Sequence, residues 1–215
     1  MKLRNYSLSF FTMLLLGTAV FLGGCATTGM DRSVKASNSI KEVDSDIRKM
    51  LVQADVTAAA LDSLVRVGQP DVKKSFDTYS DNLANLESQG KVVLKHIEEM
   101  KLRNKEYFTE WEKQGDVYTN PQISALSEER RIKLAEIYAQ VHTAGGGVRN
   151  AYLAYQTDLK EIQRFLSNDL TPKGIEAITP VVNKTSQDLD VLRESIKPVI
   201  SALDGIKAEL YSGKK

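Results

Sequence analysis

Apolar residues recur at intervals of three and four along the chain from residue 31 onward, and no stretch alternates with a period of two. This spacing places apolar side chains on one face of an α-helix, whereas a half-buried strand needs strict alternation. The pattern therefore predicts an all-α fold without strands. It is interrupted near residues 68–70, 115–121 and 168–172, where glycine, asparagine, aspartate and proline are typical of connections.

The interruptions leave four segments, and each carries one apolar stripe. Their limits predict helices at about residues 31–67, 70–114, 124–167 and 172–211. Helices of similar length joined by short connections pack antiparallel, and burying four stripes together gives an elongated four-helix bundle or coiled coil. The seven-residue repeat further predicts a left-handed supercoil. We expect residues 31–215 to form this single bundle domain.

The third stripe is the least regular of the four. We interpret it as a set of residues with a one-residue slip before its last three members: Leu134, Ile137, Val141, Ala144, Val148, Ala151, Tyr155, Leu159, Ile162 and Leu166.

Two helix starts have sequence signatures. Ser127 precedes two glutamates, which suits an N-cap beside the positive end of the helix dipole, so we expect the third helix to begin at Ser124 or Ser127. For the fourth helix, Thr171 is expected to be the N-cap and Pro172 the first helical residue.

Glycine and proline inside the stripes predict irregularities. Pro180 and Pro198 fall within the fourth helix, and we expect a kink or break near Thr179 because an interior proline removes a backbone hydrogen bond. Residues 145–147 are three successive glycines in the third helix. We interpret them as a close crossing with a neighbouring helix, with a hinge as the alternative.

The first thirty residues have the layout of an export signal. Lys2 and Arg4 precede an apolar, uncharged stretch at residues 8–22. As a helix this stretch spans about 22 Å, short of the ~30 Å hydrocarbon core of a bilayer. We therefore interpret it as a signal peptide and not as a stable membrane span.

The signal ends at residues 22–25 (LGGC), which contain the only cysteine of the chain. This junction resembles the lipobox of bacterial lipoproteins. The resemblance implies cleavage after residue 24, acylation of Cys25, and a lipidated tether at residues 25–30. Two or three acyl chains hold a protein stably on a bilayer, whereas one holds it only marginally. The alternative is an ordinary signal peptide with a chance cysteine.

The residue after the cysteine bears on the choice of membrane. In well-studied bacteria with two membranes, aspartate there favours retention in the inner membrane, and here the residue is Ala26. The lipoprotein resemblance thus implies the periplasmic face of the outer membrane. Loss of residues 1–24 removes two positive charges from a chain of formal net charge +1, which leaves no basic excess for nucleic acid.

Three segments resemble a known family. They are residues 107–114 (YFTEWEKQ), 128–135 (EERRIKLA) and 165–170 (FLSNDL). They are similar to the domain of unknown function numbered 2959, an uncharacterised family of bacterial envelope proteins. The resemblance implies an exported helical protein, often with a lipobox, and it brings no established activity, so no catalytic or binding residue is carried over.

Residues for catalysis are scarce. His96 and His142 each lie one position from an apolar stripe and lack a second histidine at helical spacing. The chain contains no Glu-x-x-His pair, no phosphate-binding glycine loop and no haem-attachment motif. We therefore predict no catalytic residue, no metal site, no cofactor and no enzymatic activity.

Tyr107, Phe108 and Trp111 form the densest aromatic cluster. We interpret them as a plug that closes one end of the bundle, and alternatively as a partner-contact surface, because Trp and Tyr dominate interface hot spots. The sequence as a whole predicts a lipid-anchored scaffold, spacer or adaptor that contacts the membrane through Cys25 and another envelope protein or a second copy through its body. The alternative is a helical bundle that binds a small ligand or lipid in a cavity.

Overall fold

The computed structural model describes residues 29–115 and 117–211, and the secondary structure of these two segments is entirely α-helical. The elements are α1 (Gly29–Val65), α2 (Val72–Gly115), α3 (Pro121–Asn168) and α4 (Pro172–Tyr211). Each boundary lies within three residues of its predicted position. At ~1.5 Å per residue, the longest helix, α3, extends about 72 Å.

The helices form an antiparallel bundle made of two hairpins. Helix α1 packs along α2, and α3 packs along α4, while α2 with α3 and α1 with α4 join the hairpins to each other. The predicted all-α, antiparallel four-helix architecture is confirmed. Each residue of the α1 stripe is at most 1% exposed, although some of them are small. The stripe consists of Ile40, Val43, Ile47, Met50, Ala54, Thr57, Leu61 and Leu64.

The third stripe follows a different phase from the predicted one. Its buried residues are Leu134, Tyr138, Val141, Gly145, Val148, Tyr152, Tyr155, Leu159, Ile162 and Leu166. The predicted members Ile137, Ala144 and Ala151 are only half-buried. The observed stripe keeps an unbroken spacing of three and four, so the predicted one-residue slip is wrong.

Three tyrosines fill the interior where the hairpins meet. Each is at most 2% exposed, and each hydroxyl donates a hydrogen bond to a backbone carbonyl of another helix. These bonds run from Tyr79 to Leu159 (2.7 Å), from Tyr152 to Leu86 (3.3 Å) and from Tyr155 to Ala54 (3.4 Å). The phenol rings thus bring bulk to the core, and their hydroxyl groups are satisfied there.

The start of α3 differs from the predicted start. Helix α3 begins at Pro121, and Asn120 is its N-cap, with its side-chain oxygen accepting from the backbone N–H groups of Gln122 (2.9 Å) and Ile123 (3.4 Å). The predicted cap at Ser127 is wrong, because α3 starts more than a turn earlier. At α4 the prediction is confirmed: the Thr171 hydroxyl accepts from the N–H of Gly174 at 3.2 Å.

Helix α4 continues through both of its prolines, so the break expected near Thr179 is wrong, whereas a kink there stays a prediction. Pro180 and Pro198 are exposed, and so are Glu176 and Glu194, the residues four positions before them. The carbonyl groups that lose a helical partner therefore belong to residues on the solvent side, where water can satisfy them. Thr179 also bonds to the Ile175 carbonyl at 2.8 Å.

The three glycines of α3 do not mark a close crossing. A side chain at Gly145 would stand 4.0 Å from Ile97, which is an ordinary contact, and Gly146 and Gly147 face open space. The close approach lies instead at Gly90 of α2, which packs directly against Tyr152. The hinge interpretation of residues 145–147 stays a prediction.

Ion pairs join α4 to α1 along their shared seam. The Arg193 guanidinium lies 2.6 Å from the Asp55 carboxylate, and the Lys207 ammonium lies 2.8 Å from Asp44. These partly exposed pairs each stabilise the fold by no more than about 1 kcal/mol. None of the described helices combines the length and the apolar character needed to cross a bilayer.

Candidate functional site

One end of the bundle gathers most of the features that bear on function. At this end, which we call the proximal end, α1 begins, α2 ends, α3 begins and α4 ends. The opposite, distal end carries residues 66–71 and 169–171. Because α1 begins at the proximal end, this is the end from which the chain continues, in sequence, toward the predicted acylation site Cys25.

Ion pairs and hydrogen bonds hold the helix termini together at the proximal end. Arg130, near the start of α3, donates to the backbone carbonyl of Glu209 near the end of α4 at 2.8 Å and also pairs with its carboxylate. Lys133 approaches the same carboxylate at 3.1 Å. On the other hairpin, Ser33 of α1 faces the hydroxyl of Tyr107. Burial raises the pKa of Tyr107, and Ser33 partly offsets that rise.

The predicted aromatic cluster lies at the proximal end of α2 and contacts α3 through Phe108. The Tyr107 ring lies 5.3 Å from Phe108 and 5.5 Å from Trp111, measured between ring centroids. Phe108 meets Tyr138 of α3 edge to face at 5.2 Å, a favoured geometry for aromatic rings. Phe108 and Trp111 both pack against the hydrophobic core while remaining half-buried.

A side-chain hydrogen bond ties the end of α2 to the start of α3. The indole N–H of Trp111 donates to the Ser127 hydroxyl at 2.9 Å. The exposed edges of Trp111 and Tyr118 line an open groove of about 510 Å³ together with Arg131. The cluster therefore joins the end of α2 to the start of α3, and part of its aromatic surface remains exposed.

A second and larger groove runs between α1 and α2 at the same end. It has a volume of about 820 Å³ and is open to solvent. Its charged lining residues are Arg32, Lys35, Glu42, Arg103, Lys105, Glu106 and Glu110. Because cations and carboxylates alternate along it, the groove favours neither an anionic nor a cationic ligand.

A patch of exposed apolar side chains lies at the connection between α2 and α3, and the apolar periodicity of the sequence did not predict it. We call residues 117–127 the hairpin tip. It exposes Val117, Tyr118, Ile123 and Leu126, and none of its eleven residues is charged. The absence of charge would not have identified the tip by itself, because residues 137–148 within α3 are also uncharged.

The two histidines lie away from the proximal end, on different helices. His96 Nδ1 stands 2.7 Å from the Asp46 carboxylate and so links α2 to α1, whereas His142 is exposed on α3. Within residues 29–115 and 117–211, no three His, Cys, Asp or Glu side chains are grouped closely enough to hold a metal ion. The predicted acylation site Cys25 and the signal peptide lie outside the described residues, and they stay predictions.

A family model described as a protein of unknown function (DUF2959) matches residues 30–208. The match confirms the resemblance found around Trp111 and extends it over nearly the whole bundle. No curated protein and no solved structure matches the chain.

Proposed function

We propose that this chain, which belongs to the DUF2959 family of proteins of unknown function, is a lipid-anchored, non-enzymatic spacer or scaffold of the bacterial envelope. Acyl chains on Cys25 hold its proximal end at a membrane. The bundle then extends into the periplasm and offers its surface to another envelope protein or to a second copy.

The observation that carries this proposal is the short distance along the chain between the anchor and the bundle. Helix α1 begins at Gly29, four residues after Cys25. An extended chain covers at most ~3.5 Å per residue, so Gly29 stays within about 14 Å of the acylated residue. A tether this short keeps the proximal end beside the membrane.

The helix lengths determine how far the bundle reaches. Helix α2 has 44 residues and extends about 66 Å from the proximal to the distal end. Anchoring at Cys25 would therefore carry the two distal connections tens of ångströms away from the bilayer when the bundle stands upright. This geometry suits a spacer.

The filled interior supports a scaffold over the alternative of a bundle that binds a ligand in its core. Tyr79, Tyr152 and Tyr155 occupy the space between the hairpins, and their hydroxyl groups already bond to backbone carbonyls. A ligand in the core would need a cavity of several hundred Å³ at that place. The grooves of about 820 and 510 Å³ described above lie on the outside.

The membrane proposed for the anchor is the outer membrane, at its periplasmic face, because Ala26 follows the cysteine. For the partner, Trp111 with Tyr107 and Phe108 remains the proposed contact surface, restricted to the ring edges that are exposed. With 29 basic and 28 acidic residues, the chain has no excess of positive charge that would attract nucleic acid.

Fractionation of cells that express Cys25→Ser tests the proposal. We expect the wild-type chain in the membrane fraction and the variant either unprocessed or released to the soluble periplasm. Ser37→Ala is a suitable control because it changes a hydroxyl of α1 and leaves the lipobox intact. Membrane retention of a processed Cys25→Ser chain equal to that of wild type would reject the lipid anchor. Crosslinking of the wild-type chain in whole cells would identify the partner.

A further inference from the structure

We propose that the hairpin tip, residues 117–127, is a second and non-covalent membrane contact that inserts into the interface of the bilayer carrying the acylated Cys25. This inference rests on the proposed function, because it requires the anchor to bring the proximal end to the membrane.

The first support is the exposure of large apolar side chains on the tip. The exposed fractions are 69% for Val117, 42% for Tyr118, 48% for Ile123 and 67% for Leu126. Ile123 and Leu126 are three residues apart in the first turns of α3 and so share one face of that helix. Clustered apolar exposure of this kind marks a surface that contacts a membrane or another molecule.

The second support is the position of the tip relative to the tether. Ser33 of α1 faces Tyr107 of α2. The hydrogen bond from Thr57 Oγ1 of α1 to the Asn82 carbonyl of α2 (3.2 Å) gives the same register to within one residue. From that level α1 continues four residues to Gly29, whereas α2 continues eight residues to Gly115. At ~1.5 Å per residue, the end of α2 projects about 6 Å beyond the start of α1.

These two lengths allow the tip to reach the lipid headgroups. The tether holds Gly29 within about 14 Å of Cys25, and the end of α2 projects beyond Gly29 at the same end of the bundle. The polar region on each side of the hydrocarbon core is itself several ångströms thick, about 5 to 8 Å. An anchored bundle therefore has its tip within reach of that region.

The chemistry of the tip suits the interface of a bilayer. Tyrosine is enriched where headgroups meet acyl chains, and Tyr118 is flanked by the apolar Val117. The charges that border the tip are of both signs, and Arg131 pairs with Glu128 at 2.7 Å. The contact should therefore depend on apolar insertion and should change little with salt concentration.

A fluorophore on a single thiol tests this contact. Acylation blocks the sulfur of Cys25, so Val117→Cys in the full acylated chain provides one reactive thiol at the projecting part of the tip, where Val117 is 69% exposed. The matched control is Val67→Cys, which is 99% exposed in the distal connection. Both variants change surface residues and should fold as wild type does. Each labelled protein is reconstituted into vesicles of phosphatidylethanolamine and phosphatidylglycerol whose acyl chains carry bromine as a quencher.

We expect the probe at residue 117 to lose about half of its fluorescence or more to the brominated lipid, and the probe at residue 67 to lose almost none. Equal quenching at the two sites would overturn the proposal. So would protection of residue 117 by a second copy, seen as efficient disulfide dimers of the unlabelled Val117→Cys variant on vesicles together with no quenching of the labelled variant.

Flotation of the same samples separates the two proposals. If the chain floats with vesicles and the probe at residue 117 is not quenched, the anchor stands and the tip contact is wrong. If the chain carries no lipid and does not float, the anchor fails and the tip contact fails with it.

Discussion

The ring of Tyr152 occupies the space in which a side chain at Gly90 would stand. A Cβ atom built on Gly90 would lie 2.0 Å from both Cζ and the hydroxyl oxygen of Tyr152, well inside van der Waals contact. The ring reaches across from α3 so that its hydroxyl can bond to the Leu86 carbonyl of α2. Glycine at position 90 is therefore what allows the two hairpins to share this tyrosine.

Gly90→Ala should destabilise the bundle. The added methyl group forces the Tyr152 ring to move, and overpacking of this kind costs about 1 to 3 kcal/mol, which exceeds the ~1 kcal/mol that alanine gains from its helix propensity. Gly146→Ala is the matched control, because its methyl group would point into open space on an exposed turn of α3. That control should stabilise the fold by about 0.5 to 1 kcal/mol. Denaturant unfolding measures both changes, and equal effects in the two variants would contradict the packing described here.

Trp111→Ala should destabilise the protein by about 2 to 3 kcal/mol, less than the ~3 to 5 kcal/mol typical of a fully buried aromatic residue. The half-buried indole packs on the core and bonds to Ser127. Trp111→Phe keeps most of the packing and should cost only about 1 kcal/mol for the lost hydrogen bond. A melting temperature unchanged in Trp111→Ala would instead assign this residue to a contact surface alone.

Asn120→Ala should remove the N-cap of α3 and reduce the free energy of unfolding by about 1 kcal/mol. Ser124→Ala is the control, because it lies inside the first turns of α3 and should change stability by less than about 0.5 kcal/mol. Thermal unfolding of both variants distinguishes them. A larger loss in Ser124→Ala than in Asn120→Ala would move the helix start back to the position expected from the sequence.

The bundle should lose stability in alkaline solution. Burial raises the pKa of Tyr79 and Tyr155 above the ordinary value of 10.0, and burial with a nearby Glu87 raises that of Tyr152 to about 12. A raised pKa in the folded state means that the stabilisation is complete below about pH 10 and is lost as the pH rises above it. We expect the melting temperature to fall between about pH 10 and pH 12.

Tyr79→Phe tests the cause of that fall, because Tyr79 is the most deeply buried of the three. The variant should melt lower than wild type at neutral pH but lose less on going to high pH. Ile47→Val is the control: it weakens the same core without removing a titrating group, so it should keep the wild-type slope. The cause assigned here would be rejected by a wild-type slope in Tyr79→Phe.

The sequence was sufficient to predict the bundle because three stripes follow the helical repeat without ambiguity. The predicted third stripe is wrong at three positions, where Tyr138, Gly145 and Tyr152 are the buried residues. Tyrosine is as common at surfaces as in cores, and glycine carries no hydrophobic signal, so Ile137 and the two alanines looked like the better members. Only tertiary packing shows that the core needs ring volume at two of these positions.

Other errors came from local rules that solvent or context overrides. Asn120 and Pro121 looked like part of a connection, although an N-cap residue followed by proline is also a typical helix start. Pro180 does not break α4, since the position faces water. The hairpin tip was missed because it carries no helical stripe, and its position beside the tether follows only from how the helices pair.

The intact mass of the mature protein purified from membranes tests the lipid anchor most directly. We predict a chain that begins at Cys25 and carries a diacylglycerol on the sulfur, with a further acyl group on the amine. A mass equal to that of an unmodified polypeptide, with or without residues 1–24, would contradict the anchor and the membrane contact proposed for the hairpin tip.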